Sequence, residues 1–189
     1  MIAGLGHNNG PSMESGLSWR KHAWGKARRQ LLPTLPIEVV RLRVKRAKEL
    51  GLPYKTYAGI RASTGHDLVG FLFSSNSLGK PSARAIVPDT VTQKLASLEN
   101  TTRVALAHKG IDVTQIDGLD RIDDAPAPHL TWSAMRDRMK AIAVSAGHPA
   151  DRWVLVGETM FEQDWAAAAQ AAGYLRGTDY FAPAAPRDI

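Results

Sequence analysis

Residues 152–175, RWVLVGETMFEQDWAAAAQAAGYL, change pattern twice within a short span. Trp153–Val156 is an apolar run bounded by Arg152 and Gly157, which is how a short buried strand reads. Gly157, Glu158 and Thr159 form a turn, and an alanine-rich helix over Phe161–Ala172 follows. Phe161, Trp165, Ala168 and Ala172 share one face of that helix, and Gly173 stops it. Upstream, Val104–Ala107 (VALA) is a second short apolar run of the same kind. Trp132–Ala146 is an amphipathic helix with Met135, Met139, Ile142 and Ala146 inward. Between these lies Asp112–Asp124, an acidic stretch read as a strand or a turn around Gly118. Helices alternating with buried strands predict a small α/β layer over 91–182.

Further upstream the composition differs. Met1–Ser18 is rich in glycine and asparagine and reads as a disordered arm. Trp19–Leu32 reads as a short basic helix ended by the Pro33–Pro36 pair. Ile37–Leu50 is the clearest helix of this half, with Ile37, Val40, Val44, Ala47 and Leu50 on one face. Arg41, Lys45 and Lys48 line the opposite face, flanked by Arg43 and Arg46. Tyr54–Ser63 reads as a second, shorter helix. Leu68–Phe73 (LVGFLF) is apolar throughout, so periodicity cannot choose between strand and helix. The expectation is a helix closing a small bundle. Ser74–Pro88 is rich in Ser, Gly and Pro and reads as a connection, and Val91–Leu98 as a short helix. The fold class expected is therefore mixed, α+β or α/β. A basic helical bundle over 19–78 and a linker over 79–90 precede the α/β domain.

The charge divides along the same line. The net +6 is the average of two unlike halves: residues 1–95 carry a net of +10 and residues 96–189 a net of −4. Arg20–Arg61 alone holds twelve basic residues and two acidic ones. Such asymmetry points to a polyanion-binding segment joined to a part with another task. The absence of cysteine excludes disulfides, thiolate metal sites and a cysteine nucleophile. No uncharged run reaches the roughly 18 apolar residues of a bilayer span, so a cytoplasmic protein with no membrane partner is expected.

Within the basic half, Arg46–Ala62 reads RAKELGLPYKTYAGIRA. Ala47 is a small residue where two helices would cross, and Gly51, four residues on, suits a left-handed turn. Leu50 and Leu52 flank the glycine, and Tyr57 and Ile60 stand where a second helix would pack back on the first. This stretch resembles the helix-turn-helix of bacterial repressors and site-specific recombinases. The resemblance implies a transcription regulator whose second helix enters the major groove of duplex DNA, favoured over RNA, as a homodimer on paired half-sites. Tyr54, Lys55, Thr56 and Arg61 would then face DNA, while Arg41, Arg43, Lys45 and Lys48 meet the phosphate backbone. Trp19, His22 and Trp24, interleaved with basic residues, suit either packing of a terminal helix or stacking on bases.

The acidic half offers weaker chemistry. Residues 152–175 look like the late strand-loop-helix of haloacid-dehalogenase-like phosphatases, in which an acidic residue after the glycine helps hold magnesium. Glu158 would stand for that residue. The family also requires an aspartate nucleophile at the end of its first strand; with VALAHKG read as that strand, His108 and Lys109 occupy the place. The likeness is one of architecture. A simpler reading of the turn has Thr159 capping the helix, with Glu158 and Glu162 favouring its first turn. Asp112, Asp117, Asp120, Asp123 and Asp124 fit no EF-hand spacing, and the six histidines never pair at His-x-x-x-His. No cofactor, metal or catalytic residue is expected. DNA binding is the first reading. An enzyme acting on nucleotides or nucleic acid around His108, Gly157 and Glu158 is the second, and an RNA- or protein-binding assembly factor the third.

Overall fold

The computed structural model describes residues 35–183. The arm expected over 1–18 and the basic helix over 19–32 lie outside the described residues. Contacts divide the chain into two units, residues 1–40 and residues 41–189.

Helix α1 spans Ile37–Glu49 and α2 spans Tyr54–Thr64. Between them the chain turns at Gly51, whose φ of +60° is the left-handed conformation that glycine tolerates best. Gly51 N–H donates to Lys48 C=O and Leu52 N–H to Ala47 C=O, each at 2.9 Å. Those paired bonds form a Schellman cap, which satisfies the last carbonyls of α1. α2 ends on a second left-handed glycine, Gly65, whose N–H returns to Arg61 C=O.

A five-stranded, wholly parallel sheet follows: β1 Gly70–Ser74, β2 Thr102–Ala107, β3 Arg121–Asp124, β4 Trp153–Gly157 and β5 Gly173–Arg176. The spatial order is β3-β2-β1-β4-β5, so the chain builds outward from β1 in one direction and then crosses to build in the other. Helix α3 (Asp89–Ala96) joins β1 to β2, α4 (Trp132–Ser145) joins β3 to β4, and α5 (Met160–Ala169) joins β4 to β5. A short helix α6 (Gly177–Tyr180) follows β5.

Alternation along the central strands sorts the core into two layers. Phe71 and Phe73 of β1, Ala105 of β2, and Val154 and Val156 of β4 face Ala47, Leu50, Leu52, Tyr57, Leu95 and Tyr180. Leu72, Val104, Leu106 and Leu155 face the other way, against Met135, Met139 and Ile142 of α4 and Trp165 of α5. Each inner strand is thus covered on both faces, the normal setting of a parallel sheet.

Two expectations are corrected here. Leu68–Phe73 does not close a helical bundle. Its second half is β1, the central strand, paired with β2 on one side and β4 on the other. The helix expected to run to Ala172 and stop at Gly173 ends at Ala169 instead, on Gln170 in the left-handed conformation, and Gly173 begins β5, an edge strand of the sheet. Residues 79–90, expected as a linker, run from the turn after β1 into the first turn of α3, inside the 41–189 unit.

Polar groups pin the ends of the sheet. Arg103 donates through Nε and Nη2 to the two oxygens of Asp120, at 3.0 and 2.9 Å. That hydrogen-bonded guanidinium holds the Asp120 carboxyl below the usual aspartate range. A depressed folded-state pKa contributes stability above the unfolded value, about 3.9. The contribution is lost as pH falls through the folded value. With the side chain 41% exposed the effect is small. The acid limb of unfolding free energy against pH is expected to be shallower in Asp120→Asn than in the parent, from about pH 4 downward.

Candidate functional site

Two places collect polar chemistry, both within 41–189. The first is the α1–α2 hairpin. Its framework is the one the sequence suggests: Ala47, Leu50, Leu52 and Tyr57 are buried, and Ile60 packs against the same core. Around it Arg41, Lys45, Lys48, Tyr54 and Lys55 are exposed. Lys45 keeps a loose ion pair with Glu49 at 3.9 Å while its side chain is 76% exposed.

The remaining predicted contacts sit differently. Arg43 is half-buried, with Nε enclosed and without a hydrogen-bond partner among the described residues. Thr56 is half-buried and borders a cleft at the turn. Arg61 is drawn back along α2: Nη1 lies 3.3 Å from Asp67 Oδ1 and donates to the Tyr57 hydroxyl at 3.4 Å. The Tyr57 hydroxyl in turn donates to Asp67 at 2.7 Å. Burial, then the neighbouring Asp67, raises the Tyr57 pKa. Lys55, Thr56 and Arg61 therefore do not face outward as one set. Arg46 is similarly committed, donating to Glu49, to Leu68 C=O and to Asn100 C=O.

The second place is the carboxyl edge of the sheet, where the chain reverses its direction of winding. Crevices at such switch points are where open α/β sheets take their ligands. β1 ends on a tight turn at the start of the Ser74–Pro88 connection. Ser77 N–H donates to Ser74 Oγ at 3.1 Å, and Ser77 Oγ donates to Ser74 C=O at 2.8 Å. Ser75 Oγ lies 2.7 Å from His108 Nδ1, just beyond β2. His108 Nε2 lies 3.6 Å from Glu162 Oε1, and the same oxygen accepts from Asn76 Nδ2 at 3.0 Å.

Glu162 is completely buried, yet fully engaged. Oε2 accepts from the N–H groups of Glu158 and Thr159 at 2.7 and 2.9 Å. Thr159 Oγ1 accepts from Glu162 N–H at 3.2 Å, which completes a capping box. The Glu162 carboxylate thus takes the two N–H groups that lead into α5, and Thr159 takes that of Glu162 itself. Glu158 accepts from Thr178 N–H, and a Cβ on Gly177 would fall 2.6 Å from that carboxylate.

The first strand of the sheet is Gly70–Ser74, not Val104–Ala107, so the residues at its end are Ser74, Ser75, Asn76 and Ser77. No carboxylate stands there. Two clefts flank the cluster. One of about 420 Å³ lies beside Asn76, Ser77, Glu158, Thr178 and Phe181. The other, of about 600 Å³, is bordered by His108, Lys109, Asp112 and Asp124. Among the described residues no group of three or more His, Asp or Glu is placed to hold a metal ion, and no helix is long and apolar enough to cross a membrane.

Sequence reasoning anticipated the Thr159 cap and His108 but missed Ser75, Asn76 and the reach of Glu162. The run Ser74-Ser75-Asn76-Ser77 directly after an apolar stretch was the available signal. Comparison with protein-family models, with curated proteins and with solved structures returned no match.

Proposed function

We propose that this chain binds nucleic acid, duplex DNA in preference to RNA, through the α1–α2 hairpin, and that phosphate contacts carry most of the affinity. The observation behind this reading is the set of exposed cations, Arg41, Lys45 and Lys48 along α1 and Lys55 at the start of α2, on a hairpin whose turn is made by Gly51. The half of the chain that carries it has a net charge of +10. Charge of this kind acts on phosphates and needs no base contact. Base readout rests on Tyr54 and Lys55 at the start of α2, since Arg61 is held by Asp67. The binding is therefore steep in salt and weak in sequence preference, and a role in regulating transcription would need selectivity supplied by pairing of two copies on adjacent half-sites.

Fluorescence anisotropy with labelled duplex DNA, duplex RNA and single strands, at low and at physiological salt, tests the reading. Duplex DNA is expected to bind tightest, with affinity falling steeply as salt rises. Absence of binding at low salt, or a preference for RNA, would overturn it.

A second reading draws on the carboxyl edge. The cleft beside His108, Lys109, Asp112 and Asp124, at the ends of β2 and β3, favours a small-molecule ligand there, as an enzyme on nucleotides would have. That reading predicts thermal stabilisation by a nucleotide that survives mutation of the hairpin lysines and is lost in His108→Ala.

A further inference from the structure

A cleft of about 580 Å³ opens beside the α1–α2 turn, bordered by Lys48, Thr56, Lys94, Leu175, Asp179 and Tyr180. Lys94 comes from α3, far along the chain from the hairpin. Its Nζ donates to Gly51 C=O at 2.8 Å and lies 5.1 Å from the centre of the Tyr180 ring. The Tyr180 hydroxyl is itself tied to Leu50 C=O at 3.0 Å, so the ring under the ammonium is fixed.

An ammonium has three donors, and here one is used. Among the described residues neither Lys94 nor Lys48 makes an ion pair with a carboxylate. Burial lowers the Lys94 pKa, the expected response of a half-buried cation without a counter-charge. The cation is nevertheless held in place from two sides, by the Gly51 carbonyl and the Tyr180 ring. A Cβ at position 51 would come within 2.8 Å of the Lys94 side chain, so the turn glycine that shapes the hairpin also makes room for it. Thr56 adds a hydroxyl from the first turn of α2, which opens on Pro53 without a side-chain cap. Asp179 is the one carboxylate on the rim.

We propose that this cleft is a phosphate-binding site in which Lys48 and Lys94 supply the charge and Thr56 a hydroxyl donor. On the reading above, the phosphate is one of the nucleic-acid backbone, lodged at the turn so that the hairpin has a fixed register on the strand. A free phosphate compound is the other source of the same chemistry. A multiply charged oxyanion suits two ammonium groups and a hydroxyl better than a single carboxylate does, because it offers acceptors in several directions.

Lysine acetylation of the full chain, read residue by residue by mass spectrometry at constant ionic strength, tests this. The three additions are duplex DNA, pyrophosphate and acetate. Several-fold protection of Lys48 and Lys94 by DNA and by pyrophosphate, with none by acetate and none at Lys140 on α4, is expected. Protection of Lys45 and Lys55 by DNA with Lys94 unchanged would overturn the cleft while leaving nucleic-acid binding intact. Protection of Lys48 and Lys94 by pyrophosphate with no lysine protected by DNA would uphold the cleft for a free phosphate compound and sink the nucleic-acid reading. No protection at Lys94 by either, or equal protection by acetate, would end the proposal. Lys94→Gln should abolish pyrophosphate protection of Lys48. Should that variant not fold, Lys48→Gln, at an exposed position, should weaken the protection of Lys94 in the same way.

Discussion

Replacing Glu162 by alanine is expected to cost about 3 kcal/mol or more of stability. The carboxylate is wholly enclosed, and three donors depend on it: Glu158 N–H, Thr159 N–H and Asn76 Nδ2. Truncation removes their acceptor without removing them; a buried donor left unpaired costs about 1–3 kcal/mol, and the cost is lower at Thr159, which is exposed to water. The capping box of α5 is lost at the same time. Glu162→Gln keeps the volume and one acceptor oxygen, and Asn76 can turn its own oxygen toward the new amide. Its expected cost is about 1 kcal/mol. Urea unfolding with an unchanged slope and a shifted midpoint is the readout. An alanine variant within about 0.5 kcal/mol of the parent, as at ordinary surface sites, would mean that the cluster does not hold the switch point together.

The second large effect is at Gly70. A Cβ there would stand 2.0 Å from Thr102 O and 2.8 Å from Thr102 C, backbone atoms of the neighbouring strand that cannot swing aside. Gly70 faces Thr102 and Trp153 in the two central ladders, so relief requires β1 to move relative to β2 or β4. Gly70→Ala is expected to destabilise by about 3 kcal/mol or more, the upper end of overpacking. Gly59 supplies the control. It lies inside α2 with nothing within 4 Å of its hypothetical Cβ. Gly59→Ala is expected to stabilise by about 0.5–1 kcal/mol through helix propensity. Equal effects of the two substitutions in chemical denaturation would contradict the packing described for β1.

These two residues also show what could and could not be read in the sequence. The Thr159–Glu162 cap is local, a Ser/Thr-x-x-Glu spacing that needs no tertiary information. Gly51 is local too, since a glycine between two amphipathic runs marks a turn. β2 and β4 were legible as apolar runs bounded by polar residues. β1 was not, because a strand covered on both faces loses its period of two and reads the same as a buried helix segment. β3, with the sequence RIDD, and β5, with GYLR, are edge strands of four residues each, held by the ladder rather than by their own pattern. The cluster at the carboxyl edge was hidden for another reason. Asn76 and Glu162 are 86 residues apart, and only the reversal of winding brings them together. Arg61 illustrates the opposite error. Helical spacing places it on the outward side of α2, but a carboxylate just past the helix end, Asp67, turns it back.

The central claim, that the cations of the hairpin meet phosphates, is tested most directly by the salt dependence of duplex DNA affinity. The comparison is between the parent chain and Lys45→Ala/Lys48→Ala/Lys55→Ala. Each phosphate contact contributes close to one unit to the slope of log affinity against log salt, about 0.9 for duplex DNA. Loss of three contacts should make the slope shallower by about 2–3 units and weaken binding at low salt by orders of magnitude. An unchanged slope and affinity in the triple variant would place the DNA contacts elsewhere on the protein and contradict the claim.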